Sequence, residues 1–532
     1  MKIALTTFNS KYIHPSVALR ILKQDALNHG VEVDMFEYTI KEDLNRVVND
    51  LKEYDIVGIS CYIYNIELTK KLIEQLRLEN KNIKIILGGP EVSYITLDEA
   101  IKLDADYVIC GEGESVLSEL LSSLNTGSIF KHEAIIDVKQ EIENTQVNIV
   151  SLDYAQPLMN QYDDLDIEHQ IIYLETSRGC PYLCSYCQAS LDNLIRPVDL
   201  NEVLKLIEDA IEKEVKLVKF LDRTFNFDVE RTNKIISHII ELDNNKTTFQ
   251  FEITGELLDE SSIRLINKKA RPGLFRFEIG VQSTNYEANK AIRRFQNFDK
   301  LKKNILSLKN GGKIVIHLDL IAGLPYENLD SFVKTFNDVY NLEPLELQLG
   351  FLKLLKGTHL NTMVDQFEYQ FDKLAPYQIK SSAFLSESDL KVIEGCEHGL
   401  EHVYNARKAK EVALYLISKY DYNPFYFYES IGANIFFNMQ LHELYELIND
   451  LFIKDSEDKI ELLKNYYAIT KQRPKVLFKC ENKKAVLHHL IAQENLVQNE
   501  VFSNSNVEHI KDDVYFVYLI NTKKHYLLNI ER

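Results

Sequence analysis

The chain has 532 residues, of which 45% are apolar and 27% charged, and its net charge is −19. That length exceeds one ordinary core and sets an expectation of two to four domains. The acidic balance disfavours nucleic acid as a partner, since such proteins carry a basic face, and no apolar run approaches the about 18–20 residues of a membrane span. Residues 1–7 are too short an apolar stretch for a signal sequence, which sets an expectation of a cytoplasmic protein. Seven cysteines, an odd number in a long chain, argue against a disulfide framework.

Residues 1–125 alternate strand and helix. Apolar or alternating runs at 2–7, 31–38, 56–61, 83–87 and 107–110 read as strands, with amphipathic helical patterns between them. Pro15 opens the first helix and Gly30 stops it. Five βα units in succession imply a doubly wound parallel sheet, which binds ligands at the carboxyl ends of its strands. Residues 126–168 lose this rhythm, and the acidic stretch 161–166 reads as a connector. Alternation resumes with strands expected at 170–175, 216–221, 249–254, 276–279, 314–321 and 345–351, a spacing that suggests a complete or partial barrel. After about residue 365 the strand rhythm stops; residues 385–466 read as helical and aromatic-rich, with late strands at 514–520 and 525–530. The expected division is 1–135, a linker at 136–168, a barrel at 169–368 and a mostly helical domain at 369–532.

The segment Glu175–Cys187 follows the first strand of the second array and spaces Cys180, Cys184 and Cys187 as CxxxCxxC. Three thiolates on one loop can cap three irons of a cubane and leave the fourth free. A zinc site is the alternative, but zinc prefers four protein ligands and no fourth lies nearby in sequence. Gly179 and Pro181 shape the loop.

This motif and its position resemble the radical S-adenosylmethionine (SAM) superfamily, whose core is a partial (β/α)6 barrel. The resemblance implies a 4Fe–4S cluster on Cys180, Cys184 and Cys187, and SAM chelating the open iron. Reductive cleavage of SAM would then give a 5′-deoxyadenosyl radical. It also implies SAM contacts at strand ends: Tyr186 before the last cysteine, Asp222, Glu252, and Glu278, Gln282 and Ser283 of a segment similar to ExGxQS. Arg293 or its neighbour Arg294 would pair with the SAM carboxylate, and Asp319 and Leu320 begin a segment similar to DLIxGLP on the adenine side.

A doubly wound domain ahead of such a core resembles the cobalamin-binding class of the superfamily. The features that match are Gly88-Gly89-Pro90 after the fourth strand and Gly111-Glu112-Gly113-Glu114 after the fifth. The loop Tyr62-Ile63-Tyr64 would lie against the lower face of the corrin. The DxHxxG motif that supplies cobalt with a histidine in many cobalamin proteins is missing, and His14 reads as a loop or cap residue in preference to a ligand.

The resemblance implies cobalamin-dependent methyl transfer to an unactivated carbon, with a flavodoxin- or ferredoxin-type electron donor and a small-molecule or peptide substrate. A methylthiotransferase is disfavoured, because the N-terminal region has only Cys61 and Cys110 where a second cluster needs three cysteines. A non-catalytic iron–sulfur redox module is the third reading, and it leaves the strand-end motifs without purpose. Asn405, Arg407 and Lys408 read as a solvated helix face before a substrate contact, and Cys396 and Cys480 as structural. No catalytic acid, base or nucleophile is singled out.

Overall fold

A computed structural model describes residues 1–128, 130–144, 146–149, 162, 164–470 and 474–530. Contacts divide the chain into two compact units, Met1–Asn328 with Gly350–Phe384, and Leu329–Leu349 with Leu385–Arg532.

The first unit opens with strands β1 (Ile3–Asn9), β2 (Asp34–Thr39), β3 (Ile56–Ser60), β4 (Lys84–Gly88), β5 (Tyr107–Ile109) and β6 (Ile135–Asp137). They pair in the order β2-β1-β3-β4-β5-β6, so the direction of winding reverses between β1 and β3. Helices cover both faces, and each strand therefore sorts its residues into two cores by the period of two. Ala4, Val57, Ile85 and Leu87 pack on one face with Leu72 and Leu76. Leu5, Ile56 and Ile86 pack on the other with Leu117 and Leu121. β6 corrects the expectation that the rhythm ends at residue 125; it pairs antiparallel to β5. Residues 150–161 and 163 of the expected connector lie outside the described residues, and its end, Asp164–His169, is a short helix.

The second array comprises β7 (Ile172–Leu174), the short pair β8 (Ser177–Arg178) and β9 (Arg196–Pro197), then β10 (Leu217–Phe220), β11 (Thr248–Ile253), β12 (Phe275–Gln282), β13 (Val315–Ala322) and β14 (Glu346–Phe351). The large sheet runs β14-β13-β12-β11-β10-β7, an open six-stranded array. Its pleat decides what enters the barrel. In β12, Phe275, Phe277, Ile279 and Val281 are buried, whereas Arg276, Glu278, Gly280 and Gln282 alternate with them on the other face. In β11, Phe249, Phe251 and Ile253 are buried on the same outward face, where Phe251 stacks on Phe220 with ring centroids 4.6 Å apart.

The second unit is mostly helical, as expected. Helices Glu387–Gly399 and Pro424–Gly432 touch through glycines: a Cβ on Gly432 would fall 1.8 Å from the Gly395 carbonyl. An aromatic cluster surrounds them, with the Tyr340 and Tyr428 hydroxyls 3.0 Å apart. The unit ends in an antiparallel sheet, β17 (Ser505–Lys511), β18 (Val514–Leu519) and β19 (Lys524–Asn529), after the small pair β15 (Gln370–Phe371) and β16 (Ile379–Ser381) of the first unit. β17 was not expected, because Ser-Asn-Val-Glu-His-Ile-Lys has too few apolar residues to read as a strand. It pairs antiparallel with β18 and packs Val507 in one apolar core with Val517, while Glu508, fully buried, accepts from the Leu477 amide at 3.0 Å and the Tyr467 hydroxyl. Among the described residues no helix is long and apolar enough to cross a membrane.

Candidate active site

The cysteine loop is fastened at its root by Asp222, just beyond β10. This carboxylate is 1% exposed. It accepts from the Thr176 amide at 2.9 Å, the Thr176 hydroxyl at 2.6 Å and the Ser177 hydroxyl at 2.6 Å. Burial outweighs those three donors and pushes its carboxyl up to about 6. Gly179 then turns the chain at φ +83°, and a Cβ there would lie 2.1 Å from the Leu194 carbonyl, so only glycine fits. The Cys180 amide donates to Asp192 O at 3.0 Å, the Ser185 amide to Ile292 O at 2.9 Å, and the Ser190 hydroxyl to Cys187 O at 2.6 Å.

Cys180, Cys184 and Cys187 line one cavity of about 190 Å3 together with Tyr186, Arg223, Glu252, Glu278, Gly280, Gln282, Arg294 and Asp319. Among the described residues no three Cys, His, Asp or Glu side chains converge closely enough to hold a single metal ion. Burial raises the Cys184 thiol, while the Arg294 guanidinium, 3.7 Å from its sulfur, opposes that.

The barrel interior is charged. Lys219 Nζ lies 3.0 Å from Glu278 and 3.8 Å from Glu252, and Arg223 lies 3.3 Å from Glu252. Burial works against the Glu278 carboxylate, but Lys219 prevails and holds it below its ordinary value. Burial raises Glu252 and Asp319. Gln282 sits at φ +66°, and its side-chain oxygen is buried with no hydrogen-bond partner among the described residues. A buried acceptor left open on a cavity wall calls for a ligand donor.

Of the nine residues expected around SAM, the cavity gathers Tyr186, Glu252, Glu278, Gln282 and Asp319. Four point elsewhere. Asp222 ties down the cysteine loop. The Ser283 hydroxyl donates to the buried Glu327 at 2.6 Å. Leu320, 1% exposed, falls on the outward face of β13, one residue out of phase with Asp319. Arg293, at φ +56°, turns toward His359 at 2.9 Å, and its neighbour Arg294 takes the inward position.

A second, larger cavity of about 590 Å3 lies at the carboxyl ends of β1, β3, β4 and β5, where the winding reverses. Its walls include Tyr62, Tyr64, Gly88, Gly89, Pro90, Gly111, Glu112 and Gly113, and from the barrel Tyr173, Glu175, Arg178 and Leu221. Ile63 is not among them. Gly89 (φ +101°) and Gly111 (φ +92°) bring backbone close: a Cβ would meet Cys61 O at 2.6 Å or Asn148 O at 2.4 Å. Tyr62 and Tyr64 stack at 5.4 Å, and Asn65 fixes their loop by accepting from the Tyr62 amide at 2.7 Å. His14 lies 2.6 Å from the Tyr173 hydroxyl, a partner from the other array that no sequence reading named. Cys61 and Cys110 are fully buried, and burial pushes both thiols up to about 12.

A partial barrel with three cysteines around its mouth, joined to a doubly wound sheet with a wide cavity at its switch point, defines an iron–sulfur barrel enzyme with an attached cofactor domain. Residues 174–339 match the radical SAM superfamily, residues 3–121 the B12 binding domain, and residues 365–524 a protein family of unknown function, DUF4080. The chain belongs to the radical SAM superfamily, in the group with an N-terminal B12-binding domain. It is 23% identical to the uncharacterized protein MJ1620 of Methanocaldococcus jannaschii over 61% of this chain and 72% of that one. It is also 23% identical to the cobalamin-dependent radical SAM methyltransferase TokK of Streptomyces tokunonensis, over 60% of this chain but only 50% of the relative. Its fold is similar to that of the radical SAM methyltransferase TsrM of Kitasatospora setae, solved with cobalamin and a 4Fe–4S cluster, with a TM-score of 0.58 at 15% identity over 73% of this chain and 82% of that one. The cofactors of these domains fit the donor sets present: three thiols and an open Gln282 acceptor for cluster and SAM, and a wide glycine-edged cavity for cobalamin.

Proposed function

We propose that the chain is a cobalamin-dependent radical SAM methyltransferase acting on an unactivated carbon of a small-molecule or peptide substrate. The observation that carries this reading is the larger cavity, whose walls come both from the switch point of the N-terminal sheet and from the first strands of the barrel. A corrin there would face the side of the barrel that carries the cysteine loop. In this reading Cys180, Cys184 and Cys187 hold the cluster, Tyr186, Glu252, Glu278, Gln282, Arg294 and Asp319 face SAM, and residues 88–90 and 111–113 face the corrin. When bound, cluster and SAM supply a carbon-centred radical, and cobalamin supplies the methyl group.

The chain's own residues do the positioning. Arg294 sets a cation against Cys184, Asp222 fixes the loop root, and the Lys219 network keeps the barrel interior charged where SAM brings its amino and carboxylate groups. An electron donor of flavodoxin or ferredoxin type belongs to the same proposal, as does the domain division at residues 135, 168 and 368. Methylthio transfer fits less well, because Cys61 and Cys110 are sealed in the core as neutral thiols.

The test is anaerobic reconstitution with iron, sulfide and hydroxocobalamin, then incubation with methyl-deuterated SAM, a reductant and an extract of small molecules and peptides. Deuterated methyl appearing in an extract component, together with 5′-deoxyadenosine, is the expected result. 5′-Deoxyadenosine without cobalamin uptake would replace methyl transfer by another radical reaction.

A further inference from the structure

The Gly111-Glu112-Gly113-Glu114 loop does more than border the larger cavity. β8 and β9 pair antiparallel with Arg178 directly opposite Arg196. Two like charges facing each other across a ladder repel, so this pair needs counter-charge. Part of it is local: Glu175 accepts from Arg178 Nε at 2.9 Å, and Asp192 pairs with Arg196. The other array adds two more carboxylates. Glu112 takes Arg196 in a two-toothed grip, 2.7 Å to Nη2 and 3.0 Å to Nη1, and lies 3.5 Å from Arg178 Nη1. Glu114 accepts from Arg178 Nη2 at 2.6 Å. These side chains are only 9–20% exposed, so the charges are poorly screened and each depends on its partners.

Arg178 stands two residues before Cys180, and β8 and β9 flank the whole cysteine loop. Gly111, Glu112, Gly113, Glu114 and Arg178 also line the larger cavity. The Glu112 main chain is itself fixed, its amide donating to Asn148 O at 3.0 Å. We propose that Glu112 and Glu114 are positioning residues that clip the arginine ladder of the cysteine loop to the floor of the larger cavity. Filling that cavity and ordering the cysteine loop then stabilise each other, a coupling that runs both ways by thermodynamic necessity. The coupling rests on the reading that the cavity takes a corrin; the clip itself does not.

Hydrogen–deuterium exchange on the full-length, cluster-free protein, kept anaerobic, with and without hydroxocobalamin, tests both. The unaltered protein is expected to show slower exchange at 88–90 and 111–113, and also at 176–197, where slowing of at least about fivefold would match ordinary coupling between sites. In Arg196→Gln, which severs the grip on Glu112 without altering the cavity wall, the slowing at 88–90 remains and that at 176–197 shrinks; if it is undiminished, the coupling is overturned. Without cobalamin, Glu112→Gln and Arg196→Gln each speed exchange at 176–197, and the double variant is no faster than the faster single one, because both substitutions sever the same contact. Effects that add in full in the double variant would overturn the clip. No slowing anywhere on adding hydroxocobalamin to the unaltered protein counts against the corrin reading and the coupling, while the Arg196→Gln comparison still decides the clip.

Discussion

Asp222→Asn isolates one buried charge whose pH dependence has a definite sign. The carboxyl titrates at about 6 in the fold against 3.8 when unperturbed, burial being the main cause. Between those values the folded state holds a proton that the unfolded chain has released. The stability this group contributes is therefore full below about pH 4, declines as pH rises, and levels off above about pH 6. A difference of about two pH units corresponds to about 3 kcal/mol. Asparagine is uncharged throughout, so the variant lacks this dependence, although it carries a constant penalty for meeting three donors with one oxygen. The stability gap between unaltered protein and variant should therefore shrink by about 3 kcal/mol from pH 4 to pH 7. With two units in the chain, a global melt would mix transitions, so the measurement should be the local opening free energy at amides 172–178 of the cluster-free protein. A gap that stays constant, or that widens toward pH 7, would refute the argument that burial dominates at Asp222.

The other predictions concern cofactor retention and the second unit. Gly179→Ala places a Cβ 2.1 Å from Leu194 O at φ +83°, at a cost of about 1–3 kcal/mol in backbone strain alone, and should lower iron bound per chain after anaerobic reconstitution while the helical circular dichroism stays unchanged. Gly111→Ala, with its Cβ 2.4 Å from Asn148 O, should weaken retention of hydroxocobalamin in gel filtration. Arg294→Gln removes the cation 3.7 Å from Cys184 and should lower the midpoint potential of the cluster, with Arg294→Lys in between, as read by electron paramagnetic resonance titration. Asp458 is held down at about 2: burial alone would raise it, but Lys419 at 2.7 Å and the Tyr420 hydroxyl at 2.7 Å prevail. Its contribution is present above about pH 4 and lost as pH falls through 2, so Asp458→Asn should flatten the acid loss of protection in helix Ser456–Ile469.

Local pattern carried much of this protein. The period of two and the period of 3.6 residues located the six strands of the barrel sheet and the five parallel strands of the first sheet. The cysteine spacing and the strand-end motifs named the chemistry, and the pleat of β11, β12 and β13 delivered Glu252, Glu278, Gln282 and Asp319 to the inside as alternation requires. Other elements were invisible: β8 and β9 have two residues each, and β17 carries only two apolar residues, Val507 and Ile510.

What the sequence could not settle was the choice among neighbours and the pairing of distant charges. Arg293 and Arg294 read alike, and only the positive φ at Arg293 turns one outward and the other inward. Asp222 and Glu112 looked like cofactor contacts, yet their carboxylates are taken by Thr176 and Ser177 in one case and by Arg196 in the other, partners 45 to 84 residues away. Periodicity is a property of neighbouring residues and survives in the linear string. A carboxylate's partner is set by which loops the completed sheets bring together, and that exists only in three dimensions.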